Sequence, residues 1–253
     1  MCPGPAVLGV DGCPGGWVGA FVQDGSVAWH TGSFAELLTL PALVVAVDIP
    51  IGLPAGALRR AADVEAKAAL GAQRSSVFFA PPRVVLEATS QPEATLLSRA
   101  AGSVGVSIQT FHILDKVAEV DDLLQNSPDA RVVEVHPEVS LRRMGEGRLG
   151  DGRLGEGRLG EGHLAEGRLG EAQLGGVALP PKRKVAGRVA RLALLRTWLP
   201  TLSLPTPLPG RARPDDCLDA IACACSATRW LNGEAEVLGD EVDELGTPMR
   251  IVV

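Results

Sequence analysis

The chain has 253 residues, 46% of them apolar, so it can bury a sizeable core in one large α/β domain or two small ones. Aromatic residues make up only 4% and tyrosine is absent, so we expect a core of Val, Leu, Ala and Ile. The formal net charge of −6 excludes a global positive field that would steer nucleic acid to the protein. Any binding of nucleic acid would have to use a local basic patch.

The cysteines and the apolar runs exclude other classes of protein. The five cysteines have no CxxC spacing, which argues against a disulfide framework or a zinc site. We expect Cys223 and Cys225 to be small core residues. No charged N-terminal region is followed by a hydrophobic run, and no apolar stretch is long enough to span a membrane. The sequence therefore predicts a soluble, cytoplasmic protein without a membrane partner.

The beginning of the chain predicts three strands, a helix and a fourth strand. The runs VLGVDG, WVGAFV and SVAWH are separated by the turns CPGG and QDG, a pattern typical of an antiparallel meander. The residues SFAE match a capping box, so a helix should begin at Ser33 and end before Pro41. LVVAVD, residues 43–48, is a continuous apolar run that suits a strand buried on both faces and parallel to the first strand.

The remaining segments predict mainly helices. Helical patterns cover residues 57–71, 91–101, 109–125, 182–199 and 215–231. RSSVFFAPPR, residues 74–83, should form a loop with two exposed phenylalanines. RVVEVHPE, residues 131–138, reads as a strand, and MRIVV as a last edge strand.

Residues 145–174 differ in composition from the rest of the chain. They consist of six pentapeptides of the type GEGRL, in which leucine is the only large apolar residue. Because a period of five fits neither a helix nor a strand, we interpret them as a low-complexity insertion in a loop, disordered or weakly helical. A flexible lid or a tether for a partner is the alternative. The predicted organisation is one domain over residues 1–253 with this insertion.

Four aspartates fall where strands end or a helix begins. Asp11 follows the first strand, Asp48 ends the fourth, and Asp216 and Asp219 lie one helical turn apart at the start of the last helix. A carboxylate at the end of a buried strand is unfavourable unless something pairs with it. Oxygen-rich clusters of this kind bind Mg²⁺ or Mn²⁺. We therefore predict that the four carboxylates form one metal-binding edge of a sheet.

Each acidic residue also has a purely structural interpretation. Asp11 could shape the tight turn that follows it, and Asp216 could cap the helix, which is the role we expect for Asp215. Glu134 is a candidate fifth ligand or water-orienting base, but it could equally pair with an arginine. His136 is a candidate ligand or proton shuttle, or simply a hydrogen-bonded histidine at a strand end.

Basic and hydroxyl residues supply candidate contacts to phosphate. In the phenylalanine loop these are Arg74, Ser75 and Ser76, with ordinary loop polarity as the alternative. The basic helix carries five more cations that could contact a nucleic-acid backbone or form a solvated face: Lys182, Arg183, Lys184, Arg188 and Arg191. Of these, Lys182 and Lys184 are our candidate substrate-binding residues.

Five sequence blocks, in this order, resemble a family of unknown function described as predicted ribonuclease-H-like nucleases: GVDGCPGGWVGA, VDIPIGLP, RSSVFFAPPR, EVHPEVS and DDCLDA. The resemblance covers residues 7–142 and 180–252. It implies a ribonuclease-H-like α/β fold: a mixed five-stranded sheet, three strands antiparallel and the following ones parallel, with helices on both faces. Matched by position, the acidic site comprises Asp11, Asp48, Glu134, Asp216 and Asp219, and the HPE block holds His136 and Glu138.

These observations predict a metal-dependent nuclease. Two divalent ions, Mg²⁺ or Mn²⁺, held by the four aspartates would allow phosphodiester hydrolysis without a Ser or Cys nucleophile. An actin-like nucleotide-binding phosphotransferase is one alternative, because VDGCPGGW resembles a phosphate loop, although such enzymes need a second copy of the fold. A non-catalytic binding module is the other, although clustered like charges have no purpose there without a metal.

Overall fold

The structure, a computed structural model, describes residues 3–150 and 179–253, with side chains for all of these except 147–150. Residues 151–174 of the pentapeptide repeat lie outside the described residues, and the single domain over 1–253 stays a prediction. The described strands are β1 (Val7–Cys13), β2 (Gly16–Gln23), β3 (Ser26–Gly32), β4 (Val44–Val47), β5 (Val132–Glu134), β6 (Val237–Val242) and β7 (Pro248–Val252). The described helices are α1 (Phe34–Leu38), α2 (Ala61–Leu70), α3 (Gln91–Ala100), α4 (Ile108–Phe111), α5 (Leu114–Asn126), α6 (Pro137–Gly150), α7 (Val185–Leu195) and α8 (Pro214–Leu231).

The first five strands form one mixed sheet in the order β3-β2-β1-β4-β5, which confirms the predicted α/β architecture. β1, β2 and β3 are antiparallel, whereas β4 and β5 run parallel to β1. Val10 of β1 pairs with Val47 of β4, and Val47 pairs with Glu134 of β5. Asp11 and Asp48 therefore follow paired residues and emerge at the same edge of the sheet.

Helices cover both faces of this sheet. On one face, α6, α7 and α8 pack against residues such as Val18 of β2, and α8 also packs against Ala46 of β4. On the other face, α1 and α5 pack against residues such as Leu8 of β1 and Val47 of β4. Because successive side chains of a strand point to opposite faces, both faces of β4 are buried, as its apolar run predicted.

Helix α8 lies directly on β1 at Gly9. A Cβ atom on Gly9 would lie 2.0 Å from the Ala220 carbonyl oxygen and 2.2 Å from the Ala224 amide nitrogen. The middle of α8 is rich in Ala and Cys, and their small side chains permit this close backbone approach. Since Asp219 immediately precedes Ala220, the contact places Asp219 near the end of β1 that carries Asp11.

The predicted helices are present with shifted ends. The Ser33 hydroxyl accepts a hydrogen bond from the Glu36 amide, so the capping box at the start of α1 is confirmed. The helix expected over 109–125 is interrupted between α4 and α5. The helix expected over 57–71 begins only at Ala61, because the residue before it, Arg60, has non-helical backbone angles and anchors its guanidinium to the preceding loop.

The strands at the other end of the sheet differ more from the predictions. The strand expected over 131–138 ends at Glu134, because Pro137 begins α6. The expected edge strand MRIVV is β7, which forms a hairpin with β6 and packs beside α2. The sequence does not predict β6, VLGDEV, because its glycine and acidic residues interrupt the apolar alternation. No helix within the described ranges combines the length and apolar character that crossing a membrane requires.

The contact at Gly9 yields a testable prediction for stability. Gly9→Ala should destabilise the protein by about 3 kcal/mol or more, because the methyl group meets helix backbone that cannot move aside without shifting α8. Gly19→Ala, in the neighbouring strand, is the matched control, since its methyl group would contact only the ends of Leu8 and Leu37 side chains. Urea unfolding of both variants measures the difference, and equal stability of the two would contradict the close contact.

Candidate functional site

A cleft of about 420 Å³ opens at the edge where β1, β4 and β5 end. Six of the predicted site residues line it: Asp11, Asp48, Ser76, Glu134, His136 and Lys182. Five others do not line it: Arg74, Ser75, Lys184, Asp216 and Asp219. Of these five, Asp219 contacts the cleft through Lys182.

Asp48 directly follows β4, whereas Asp11, expected to follow β1, lies within it because the pairing with β2 continues to Cys13. The Asp48 amide donates to the Val10 carbonyl at 3.0 Å, which continues the β1–β4 ladder up to the aspartates. The Gly12 amide donates to Asp11 Oδ1 at 2.8 Å and orients that carboxyl group. Burial raises the pKa of the Asp11 carboxyl well above its usual range, and the charges of Asp219 and Asp48 raise it further. Burial also raises the pKa of Asp48, whereas His136 and Lys182 oppose that shift.

Asp219 is the most buried member of the cluster, with 1% of its surface exposed. Its Oδ2 atom accepts a hydrogen bond from the Lys182 ammonium. Its Oδ1 atom is buried and has no hydrogen-bond partner among the described residues, which is rare for a buried oxygen and marks a place for a further donor or a cation. Burial raises the pKa of Asp219 to about 7, with Lys182 opposing and Asp48 adding to the shift.

The Lys182 ammonium is the cation paired directly with this carboxylate cluster, through Asp219. Burial disfavours its charged form, yet Asp219, Asp48 and Asp11 together raise the pKa of Lys182 above its usual range. The side chain is still 38% exposed, so the ammonium lies at the boundary between the carboxylates and the open cleft. The site therefore holds a positive charge at the point where the carboxylates meet.

Arg191 holds the turn that presents Lys182. Its guanidinium binds Glu138 of α6 with two contacts of 2.7 Å and donates to the Pro180 carbonyl at 2.7 Å. Gly187 permits α7 to approach this turn, because a Cβ atom there would lie 2.1 Å from the Pro181 oxygen. The expectation that Arg191 could contact nucleic acid is wrong, since only 2% of its side chain is exposed and it is used internally.

Glu134 is held by a buried arginine, one of the alternatives that the sequence leaves open. Both of its oxygens accept hydrogen bonds from Arg60 at 2.7 Å, and the Ile51 amide donates to Oε2 at 2.7 Å. Arg60 also pairs with Asp63, which accepts a hydrogen bond from the Ala80 amide. Burial raises the pKa of Glu134 to about 7 although Arg60 opposes the shift. A role for Glu134 as a ligand or base stays a prediction.

Sequence analysis misses the partners of Glu134. Arg60 and Asp63 are 1% and 2% exposed, and they tie the loop after β4 to the start of α2. No local pattern distinguishes Arg60 from its neighbour Arg59, which is exposed. Only the long-range contact with β5 identifies Arg60 as part of the site.

His136 and Asp216 occupy the rim of the cluster. His136 Nε2 lies 3.4 Å from the Ser76 carbonyl oxygen, and Nδ1 is buried without a partner among the described residues. The Asp216 carboxylate accepts a hydrogen bond from the Arg213 amide at 2.8 Å, so Asp216 caps α8. The prediction that Asp215 is the N-cap is therefore wrong, because α8 begins one residue earlier, at Pro214. Asp216 is still close enough to raise the pKa of Asp11.

The predicted phosphate contacts are divided between the cleft and the surface. Ser76, Lys182 and Arg183 line the cleft, whereas Arg74 and Ser75 are exposed on the neighbouring 3₁₀ helix Gly71–Ser76. Lys184 is exposed at the N-cap of α7. Besides Arg60, the cleft includes another cation that the sequence pattern does not single out, Lys116, whose ammonium lies 4.5 Å from the centre of the Trp17 ring.

The chain matches a known protein family, but one to which no activity is assigned. A family model described as "Protein of unknown function (DUF429)" matches residues 9–244, so the chain belongs to this family. No curated protein and no solved structure matches the chain. Within the described residues, no three carboxyl, thiol or imidazole groups already converge in the geometry of a metal site.

The raised pKa of Asp219 predicts how stability depends on pH. Between its ordinary value of 3.8 and about 7 the folded protein holds a proton that the unfolded chain releases, so this contribution to stability falls as pH rises through that window. Asp219→Asn removes the effect. The variant should therefore gain stability relative to the wild type as pH rises, by at most about 4 kcal/mol, since one pKa unit corresponds to about 1.4 kcal/mol.

Thermal melts in EDTA across this pH window measure the difference between Asp219→Asn and the wild type. Asp215→Asn, on the same helix, is the control and should melt in parallel with the wild type. Parallel curves for Asp219→Asn as well would show that Asp219 titrates normally in the folded protein.

Proposed function

We propose that this protein is a metal-dependent nuclease of the ribonuclease-H-like type, hydrolysing phosphodiester bonds of nucleic acid. One arrangement carries the proposal: the register of β1 with β4 brings Asp11 and Asp48 to the same edge of the sheet, and the contact of α8 with Gly9 brings Asp219, paired with Lys182, toward that edge. The three carboxylates are neighbours there, although they do not yet converge in the geometry of a metal site. Such mutual proximity of like charges is unfavourable unless a positive charge is bound among them. The sheet order, with acidic residues at the ends of its first and fourth strands, agrees with the resemblance noted in the sequence.

The residues of this cluster fit a hard divalent cation. Carboxylate oxygens are the donors that Mg²⁺ and Mn²⁺ prefer, and the buried Oδ1 of Asp219 has no partner among the described residues. Asp11, Asp48 and Asp219 would hold the ion, with Asp216 at the rim. When bound, the ion supplies an activated water nucleophile and neutralises charge on the leaving oxygen.

The thiols next to the cluster are poor nucleophiles, which favours hydrolysis by water. Cys13 and Cys217 are both buried, within two residues of Asp11 and Asp216 respectively. Burial raises the pKa of Cys13 and raises that of Cys217 to about 12. Because the thiolate is the reactive form, both side chains stay protonated and inert at neutral pH.

Lys182 has two successive roles in this proposal. In the absence of a metal, its ammonium pairs with Asp219 and offsets part of the negative charge of Asp11 and Asp48. A divalent cation bound by the same carboxylates would compete with the ammonium for them. Because the Lys182 side chain is long and partly exposed, it can then turn toward the cleft and bind a phosphate oxygen of the substrate.

The first prediction from this proposal concerns the carboxylates. Asp11→Asn and Asp219→Asn remove an anionic oxygen without changing the side-chain volume. Each should weaken Mn²⁺ binding at least about tenfold, since even indirect partners of a metal contribute that much. Each should also slow Mn²⁺-dependent cleavage at least about a hundredfold, equivalent to about 2.7 kcal/mol in the barrier.

Electron paramagnetic resonance of free Mn²⁺ measures binding, and fluorescent DNA and RNA oligonucleotides report cleavage. Asp215→Asn is the matched control, because it removes an acid from the same helix start outside the cluster. Unchanged Mn²⁺ binding in both cluster variants would refute the metal site. Normal Mn²⁺ binding with no cleavage by the wild type would refute the nuclease.

The second prediction concerns Lys182. Lys182→Gln should strengthen Mn²⁺ binding about tenfold, because the competing ammonium is gone, and should lower kcat/KM for cleavage, because the phosphate contact is lost. Lys182→Arg keeps the charge and should stay close to the wild type in Mn²⁺ affinity. A fall in Mn²⁺ affinity in Lys182→Gln would show that the lysine supports the metal rather than competing with it.

A further inference from the structure

A second groove, of about 190 Å³, adjoins the carboxylate cleft. Val77 and Phe78 line both of them, so the two form neighbouring parts of one surface. Beside the groove lies a shallow pocket that shares Lys67, Ser75 and Phe79 with it. In the part of the chain that is described, no Asp or Glu lines either of these two spaces. This is unusual in a protein whose net charge is −6.

Three cations gather at this groove and its shallow pocket. The Arg59 guanidinium lies 4.2 Å, and the Lys67 ammonium 4.8 Å, from the centre of the Phe79 ring. Lys67 also donates to the Arg74 carbonyl at 3.0 Å. Burial lowers the pKa of Lys67, and the nearby charges of Arg74 and Arg59 lower it further, although Asp63 opposes them. Arg59 and Lys67 therefore lie over the same aromatic ring, and their positive charges would attract an anion into the groove.

The groove also exposes an aromatic face. Phe78 is 42% exposed, in a chain with only five phenylalanines and no tyrosine. Phe79, beside it, is half-buried and supports the Arg59 and Lys67 side chains. An exposed aromatic ring beside clustered cations is the combination that binds single-stranded nucleic acid, in which cations contact phosphates and an unstacked base packs on the ring.

We propose that this groove binds a single-stranded segment of the substrate, with one base on Phe78 and the backbone phosphates on Arg59 and Arg74. The proposal rests on the nuclease function and names its substrate class. Because Phe78 lines both spaces, a strand held in the groove continues into the carboxylate cleft. A duplex is disfavoured, since its bases are already stacked on each other and cannot reach the ring.

Fluorescence anisotropy of labelled oligothymidylate, with EDTA present to prevent cleavage, tests the groove directly. The wild type should bind the single strand more tightly than a duplex of equal length. Phe78→Ala should weaken binding of the single strand about tenfold, as expected for loss of one base–aromatic stack. Leu245→Ala, an exposed apolar residue that lines neither space, should have no effect.

The salt dependence of binding tests the two arginines, Arg59 and Arg74. Arg59→Gln and Arg74→Gln should each reduce the slope of log affinity against log salt concentration by about 0.7, the value for one lost phosphate contact in a single strand. Arg250→Gln is the matched control, because Arg250 also lies over an aromatic ring, that of Trp230, outside the groove.

The outcomes separate the groove from the nuclease. If Phe78→Ala and Arg59→Gln bind the single strand as tightly as the wild type, while Asp11→Asn still slows cleavage, the groove proposal is overturned and the nuclease proposal stands. If these variants bind the single strand more weakly, but the wild type shows no metal-dependent cleavage, the groove proposal is supported and the nuclease proposal is overturned. If polyglutamate binds as tightly as the single strand, and its binding depends on Arg59 but not on Phe78, the ligand of the groove is an acidic polypeptide instead.

Discussion

The close contact between α8 and β1 at Gly9 is the constraint on which the site depends. The helix backbone lies so near the strand that only a hydrogen atom fits between them. This contact sets the distance of Asp219 from the strand ends, and therefore its electrostatic coupling to Asp11 and Asp48. If α8 lay farther from β1, Asp219 would be too far from Asp11 and Asp48 to form a cluster with them. The small residues of α8 thus contribute to the chemistry by permitting the approach rather than by taking part in it.

Two buried arginines stabilise opposite sides of the cleft in the same way. Arg60 binds Glu134, and Arg191 binds Glu138, so the segment between these glutamates is held at both ends. Each guanidinium also donates to backbone carbonyls of a loop that borders the cleft. A planar group with five donors suits this task, because one side chain can satisfy a carboxylate and a loop together. These pairs fix the two borders of the cleft beside the carboxylates.

Much of the fold could be predicted because its signals are local. The meander, the capping box at Ser33 and the apolar run of β4 depend on neighbouring residues, and acids at the ends of parallel strands must lie at one edge. Arg60, Arg191 and the contact of Lys182 with Asp219 could not be predicted in this way, since each depends on partners 37 to 74 residues away. The cap of α8 could not be predicted from the pair Asp215 and Asp216, because Pro214 begins the helix: Arg213 is the N-cap, and Asp216, at the third helical position, accepts a hydrogen bond from its amide.

The ion pair between Glu138 and Arg191 bears on the length of the pentapeptide insertion. It joins the first turn of α6, the helix that runs into the insertion, to α7, which follows it, so these two helices are held together whatever the length of the chain between them. The entropy of closing a loop changes by only about 0.6 kcal/mol for each doubling of its length. A change in the number of pentapeptides would therefore alter the stability of the domain little and would leave Lys182 and the carboxylates in their places.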